Sequence, residues 1–351
     1  MGRVNVLSGA FVLALAGCAI SAWACTRVVF IGSGDEVLTA RSMDWTVDVL
    51  TNLWIFPRGM QRSGEAGPNS VKWTSKYGSV IATGYEVSTT DGMNEKGLVA
   101  NLLWLVESKY PQGSESKPMM AISVWAQYVL DNYATVNEAV DALQSEPFEV
   151  VTANVPGQDR LATVHLAISD STGDSAIFEW INGKEVIHHG RQYQVMTNSP
   201  TFEQQLALES YWRGIGGTVM LPGTNRSADR FARASFYINA IPKDEAPDVT
   251  VASVFSVIRN VSVPYGITTP GEPNISSTRW RTVSDQKRKI YYFESARTPN
   301  VFWVDLKKLD FSAETGKVMR LDLGPNQTKV YAGEVGGDFE VEKPFKFLGT
   351  E

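Results

Sequence analysis

From residue 25 onward, short apolar runs alternate with turn residues, and the spacing of the apolar positions changes along the chain. β-Branched and aromatic residues cluster at 26–31, 37–40, 53–56 and 80–82, separated by Gly, Asp and Pro, which predicts a meander of hairpins. The period then lengthens. Over 122–130 and 136–143 apolar residues recur at three- and four-residue spacing with few Gly or Pro, predicting a helical pair beside the sheet. Strand patterning returns at 163–168, 175–180 and 193–196. The last of these runs into Thr197-Asn198-Ser199-Pro200, where Ser199 is expected to cap a helix carrying Pro200 in its first turn. Further helices are expected over 227–241, with Phe231, Ala234 and Ile238 on one face, and around 251–258. The remainder is strand-like at 289–293, 301–304 and 317–323. Sheets interleaved with helical pairs predict a layered α+β protein in which both sheet faces need cover. No repeat, long charge run or low-complexity linker divides 25–351, so one domain is expected there.

Residues 1–24 follow another pattern, with a basic start at Arg3, an apolar centre over 10–16 and small residues at Ala22 and Ala24. This is the pattern of a secretory signal peptide, and its apolar run is far short of the roughly 20 residues that cross a bilayer. No later stretch is long and apolar enough to span, so an exported, periplasmic or secreted product is expected. Two cleavage positions compete. Cleavage after Ala24 exposes Cys25 with a free α-amino group; cleavage before Cys18, in Leu15-Ala16-Gly17-Cys18, would give a lipid-anchored envelope protein. The first product keeps one cysteine and so forms no internal disulfide, even in an oxidising compartment.

Composition narrows the chemistry. Lys plus Arg total 32 against 38 for Asp plus Glu, a net charge of -6, so nothing drives binding to a phosphate backbone and no nucleic-acid partner is expected. Two cysteines and three histidines exclude a disulfide scaffold, a Cys-rich zinc module and a four-cysteine iron–sulfur cluster. His165, His188 and His189 sit in no HExxH pattern, and no Gly-x-Ser-x-Gly elbow offers a serine, so the histidines are assigned structural or surface roles. Gly214-Ile215-Gly216-Gly217 matches neither phosphate-binding glycine pattern.

Cys25 is the residue that composition leaves for nucleophilic work. As an N-terminal residue it would carry a thiol and, beside it, an amine whose ordinary pKa of about 7.7 to 8.0 lets it accept the thiol proton near neutrality. Attack on a carbonyl would give an acyl-thioester, the returned proton would help the amine leave, and water would finish the turnover. The competing reading is a small buried hydrophobe on the first strand. Arg41 and Asp44 lie across the first predicted hairpin, which can return them beside Cys25. There Arg41 would favour thiolate, and Asp44 would hydrogen-bond and orient the amine; solvated surface charges are the alternative.

Five ordered segments resemble one family: Cys25-Thr26-Arg27; Arg41-Ser42-Met43-Asp44; Asp91-Gly92-Met93-Asn94-Glu95-Lys96-Gly97-Leu98; Thr197-Asn198-Ser199-Pro200-Thr201-Phe202; and Leu221-Pro222-Gly223 followed by Ala228-Asp229-Arg230-Phe231. The chain thus resembles the choloylglycine hydrolases, comprising bile salt hydrolases and penicillin V acylases, within the N-terminal nucleophile hydrolases. The resemblance implies a four-layer αββα sandwich, no metal or organic cofactor, a small-molecule acyl amide as substrate, and a homotetramer. It also implies roles. Cys25 would be nucleophile and, through its amine, base; Asp44 would orient the amine; Arg41 and Arg230 would shape the field; Asn198 would donate to the oxyanion. Where several bile salt hydrolases carry Leu-Asn, this chain has Leu103-Trp104. Trp104 and Trp45 would then be flat apolar walls for the acyl group, although both tryptophans also suit core packing. The export signal and the tryptophans resemble the Gram-negative branch, which implies an amidase acting on aromatic or fatty acyl amides, acyl homoserine lactones among them. A bile salt hydrolase is the alternative enzyme, and a lipid-anchored binding protein processed at Cys18 the alternative without chemistry.

Overall fold

The computed structural model describes residues 25–113, 116–267 and 276–350, so Cys18 and both expected cleavage motifs lie outside the described residues. Two large sheets face each other. The first has seven strands in the order Val195–Met196, β1 (Cys25–Ile31), β2 (Val37–Trp45), Ser277–Asp285, Ile290–Ser295, Val301–Asp305 and Gly333–Glu334. The second has nine, in the order Lys184–His189, Ser175–Ile181, Val164–Ser169, Val99–Trp104, Ser88–Asn94, Ser79–Gly84, Leu53–Phe56, Met319–Leu321 and Glu340–Val341. Helices α1 (Ile122–Asn132) and α2 (Val136–Leu143) cover the outer face of the nine-stranded sheet. On the other side α4 (Ser227–Ala240) and α5 (Pro247–Asn260) pack on β1 and β2, and α3 (Phe202–Ile215) packs on α4. The layers therefore run α, β, β, α.

This layering explains why β1 and β2 lack a half-polar alternation. Every residue of β2, and all of β1 except Ile31, is buried, because one face meets the opposing sheet and the other meets helices. Polar residues inside such strands must find partners, since an unpaired buried polar group costs about 1 to 3 kcal/mol. Arg27 does so with the Ser175 hydroxyl and the Ile168 carbonyl, both at 3.0 Å.

The helical pair at 122–143 forms as expected, and Thr135 caps α2 by accepting from the Glu138 N–H at 3.2 Å. One expectation needs correction: Ser199 does not cap the following helix, which starts at Phe202 after Thr201 and leaves Pro200 outside it. The reason is that the Phe202 N–H is satisfied from elsewhere, by both oxygens of the Glu179 carboxylate at 3.1 Å. Three central strands fall outside the strand expectations: the apolar Val99–Trp104, and Ser88–Asn94 and Ser277–Asp285. In the last two, the buried Thr89, Asp91, Thr278, Thr282 and Ser284 carry no hydrophobic signal, and Asp91-Gly92 has the composition of a turn. Gly92 is required there by packing: a Cβ would come within 2.8 Å of the Val80 carbonyl and 3.0 Å of Leu130 on α1.

Candidate active site

The antiparallel register of β1 on β2 pairs Cys25 with Met43 and Arg27 with Arg41. Alternation along each strand then sorts the side chains by face. Cys25, Arg41, Met43 and Trp45 point into the space between the sheets, whereas Thr26, Ser42 and Asp44 point toward the helices. Arg41 accordingly lies beside the thiol, its Nη2 being 3.9 Å from Cys25 Sγ and 3.0 Å from the Leu102 carbonyl it donates to. Its guanidinium also stacks 4.7 Å from the Trp280 ring centroid. Asp44 reaches Sγ only through its backbone carbonyl, at 3.8 Å. Its carboxylate accepts instead from Thr278 Oγ1 at 2.5 Å and Ser42 Oγ at 3.3 Å, on the helix side of the sheet.

Asn198 and Arg230 complete the cluster from outside the hairpin. Asn198 Oδ1 accepts from the Cys25 backbone N–H at 2.5 Å and from Arg230 Nη2 at 2.9 Å, while Nδ2 donates to the Trp104 carbonyl at 2.7 Å. Two donors on one side and a carbonyl on the other fix the amide orientation. Arg230 also donates to the Cys25 carbonyl at 2.6 Å and to Thr26 Oγ1. Cys25, Arg41, Asp44, Asn198 and Arg230 are all 2% exposed or less, so their charges interact with little screening. Burial pushes the Cys25 thiol up, with Arg41 the main influence in the opposite direction; the Asp44 carboxylate adds to the rise and Arg230 opposes it. Burial likewise lifts Asp44 to about 6 against the pull of Arg230, and lowers Arg230 despite the Asp44 charge.

The thiol opens onto a cavity of about 120 Å³ whose lining is almost wholly apolar. Trp45 and Trp104 stand side by side in it with ring centroids 5.4 Å apart, and Trp45 Nε1 donates to the Tyr85 hydroxyl at 2.5 Å. Both expected wall residues thus sit in one cavity with Cys25 and are also core, at 7% and 4% exposed. The guanidinium of Arg160 lies 4.5 Å from the Trp104 ring centroid.

Several residues position Asn198, and the sequence reading gave none of them that task, although it assigned His165 a structural or surface role. Ser227 Oγ accepts from the Asn198 N–H at 2.8 Å, and Gln205 Nε2 donates to the carbonyls of Asn198 and Ser199. His165 and Glu179 face each other across paired strands, with Nδ1 3.0 Å from the carboxylate, and Nε2 is 2.9 Å from the Thr197 carbonyl. Glu179 in turn holds the start of α3, so this buried pair clamps both ends of the segment bearing Asn198. A single His and a single Glu in otherwise apolar strands, opposite in register, were the available signal. His188 packs at a tilt against Phe202 and His189 meets Asp174 at 2.8 Å, away from the thiol. Among the described residues no cluster of three or more His, Cys, Asp or Glu gathers as a metal site.

A sandwich of two sheets between helical layers, with a thiol at the head of an inner strand, is the fold of the N-terminal nucleophile hydrolases. The chain belongs to the choloylglycine hydrolase family of linear amide C–N hydrolases, whose family model matches residues 25–319. It is therefore a hydrolase acting on non-peptide C–N bonds. A penicillin V acylase of Pectobacterium atrosepticum is 57% identical over 354 aligned residues, covering 95% of this chain and 94% of that protein. The solved structure of a penicillin V acylase from Agrobacterium tumefaciens is 69% identical, has a TM-score of 0.88 and covers 93% of this chain and all of that one. A mutant conjugated bile acid hydrolase from Clostridium perfringens, 22% identical with a TM-score of 0.73, covers 88% of this chain and 98% of that chain and shares the fold.

Proposed function

We propose that this chain is an exported amidase of the penicillin V acylase type, cleaving a linear amide between an apolar acyl group and a small polar amine. The observation that carries the reading is the opening of a nearly all-apolar, double-tryptophan cavity onto the Cys25 thiol beside Arg41. Removal of residues 1–24 as an export signal would turn the Cys25 N–H into an α-amine, already held by Asn198 Oδ1 at 2.5 Å. The amine would take the thiol proton, and Sγ would attack the acyl carbonyl while Arg41 favours the thiolate. Collapse of the tetrahedral adduct would break the C–N bond, with the proton passing to the departing amine and the acyl group left as a thioester. Water, deprotonated by the same α-amine, would release the acid and restore the thiol.

Asn198 Nδ2 has two hydrogens and spends one on the Trp104 carbonyl, which leaves one to meet the oxyanion. Asp44 and Arg230 act on the helix side of the sheet, where Arg230 holds the Cys25 carbonyl and Asn198 in place. The relatives named as penicillin V acylases support penicillin V, an aromatic acyl amide, ahead of conjugated bile acids, and the apolar lining would also suit a fatty acyl amide such as a long-chain acyl homoserine lactone. The test offers the purified protein beginning at Cys25 penicillin V, glycocholate and a long-chain acyl homoserine lactone, and reads amine release. Hydrolysis of penicillin V or the lactone well above glycocholate is expected, with Cys25→Ala at background. Turnover surviving that substitution removes the mechanism, and preference for glycocholate moves the reading to bile salt hydrolysis.

A further inference from the structure

We infer that the segment 345–350 is a specificity element of the acyl cavity, and that Leu348 sets how long an acyl group the cavity takes. This deepens the amidase reading and rests on it. The family model ends at residue 319, yet Leu348 lines the same cavity as Cys25, and among the described lining residues it alone lies beyond Val164. A residue outside the family core therefore shapes the space where the acyl group would lie.

The segment is held firmly enough to act as a wall. The Leu348 N–H donates to the Val87 carbonyl at 2.9 Å, and its carbonyl accepts from Ser123 Oγ at 2.7 Å. Val87 and Ser123 themselves line the cavity, so these two bonds dock Leu348 on its rim. The Thr350 N–H donates to the Glu65 carbonyl at 2.9 Å. On the N-terminal side Phe345 and Phe347 pack together at 4.7 Å, Phe345 meets Trp54 at 5.3 Å, and the Arg62 guanidinium lies 5.6 Å from the Phe347 ring centroid. With its backbone tied on both sides, Leu348 holds a fixed place in this wall. None of these bonds involves β1 or β2, which carry Cys25 and Arg41. The wall and the nucleophile are thus built by separate parts of the chain.

One extra or missing methylene in an apolar pocket is worth about 10- to 200-fold in discrimination. Leu348→Ala is therefore expected to raise kcat/KM for dodecanoyl relative to butanoyl amides of one amine by about tenfold. Leu348→Trp is expected to move the same ratio the opposite way. The experiment measures kcat/KM across C4 to C12 acyl amides for wild type and both variants, with binding of the matching fatty acids followed by tryptophan fluorescence. Opposite shifts of the chain-length profile support the inference; an unchanged ratio, or a proportional fall for every chain length, overturns it. If the wild type cleaves no amide, the amidase reading fails, and the binding series still decides the role of Leu348: a cutoff that moves with residue 348 supports it, and a fixed cutoff overturns it.

Discussion

The two walls of the cavity are built on opposite principles. The wall that carries Cys25 is dense with buried polar groups whose hydrogen bonds interlock: Asn198 alone joins the Cys25 N–H, Arg230 and the Trp104 carbonyl. The apolar wall, with Trp104 on the opposing sheet, Leu348, and Trp45 at the end of β2 where the two walls meet, is defined by shape. An interlocked polar wall responds to a change in all-or-none fashion, because each lost partner leaves another buried group unpaired. An apolar wall responds by degrees, since contact area changes smoothly with side-chain size. On the proposed mechanism, reaction chemistry falls to the first wall and substrate range to the second.

The strongest break of that contrast is Asn198→Ala. Removing the amide takes away a candidate oxyanion donor and strips three partners at once, and kcat is expected to fall by about 10² to 10³ with the fold retained. Steady-state kinetics alongside a thermal melt checks this, and near-normal turnover would remove the oxyanion role.

Asp44→Asn sharpens the electrostatic side. Burial raises the Asp44 pKa to about 6, above the roughly 3.9 of an unfolded chain, so its protonated form is the one the fold favours. The stability it contributes is complete below about pH 4 and is lost as pH rises through about 6. Across that window the wild type should lose ~3 kcal/mol relative to the asparagine variant, the equivalent of two pKa units. Denaturant unfolding of both proteins at pH 4, 5, 6 and 7 reads the difference directly. A stability difference that stays flat would mean that Asp44 titrates as an ordinary carboxyl.

The smallest effect belongs to the apolar wall. Trp45→Phe keeps a ring against Trp104 but deletes the donor to the Tyr85 hydroxyl. A loss of about 1 kcal/mol is expected, appearing as roughly a fivefold rise in KM for an aromatic acyl amide with kcat nearly kept. A fall in kcat of the size expected for Asn198→Ala would show that the two walls are not separable.

Much of the nucleophilic wall was legible in the chain because its parts are close in sequence. Cys25, Arg41 and Asp44 lie on one hairpin, and strand patterning predicted that hairpin. What patterning left open was the register, which assigns Arg41 to the thiol's face and Asp44 to the other; one residue of slip would exchange them. Asn198 and Arg230 became candidates only through the resemblance, since neither is special in its local sequence. The strands Ser88–Asn94 and Ser277–Asp285 escaped notice because their buried residues are largely polar, satisfied by partners far along the chain, such as Asp91 by Tyr291 and Thr282.

The sequence by itself determined the apolar periods that make layered sheets and helices, the scarcity of nucleophiles that singled out Cys25, and an acidic charge balance unsuited to nucleic acid. These are properties of composition and short-range spacing, which the chain states directly. Only the tertiary structure decided that His165 and Glu179 clamp the Asn198 segment and that Leu348 borders the cavity of Cys25. Such contacts join residues far apart in sequence, and strand register and the packing of one sheet on the other fix them.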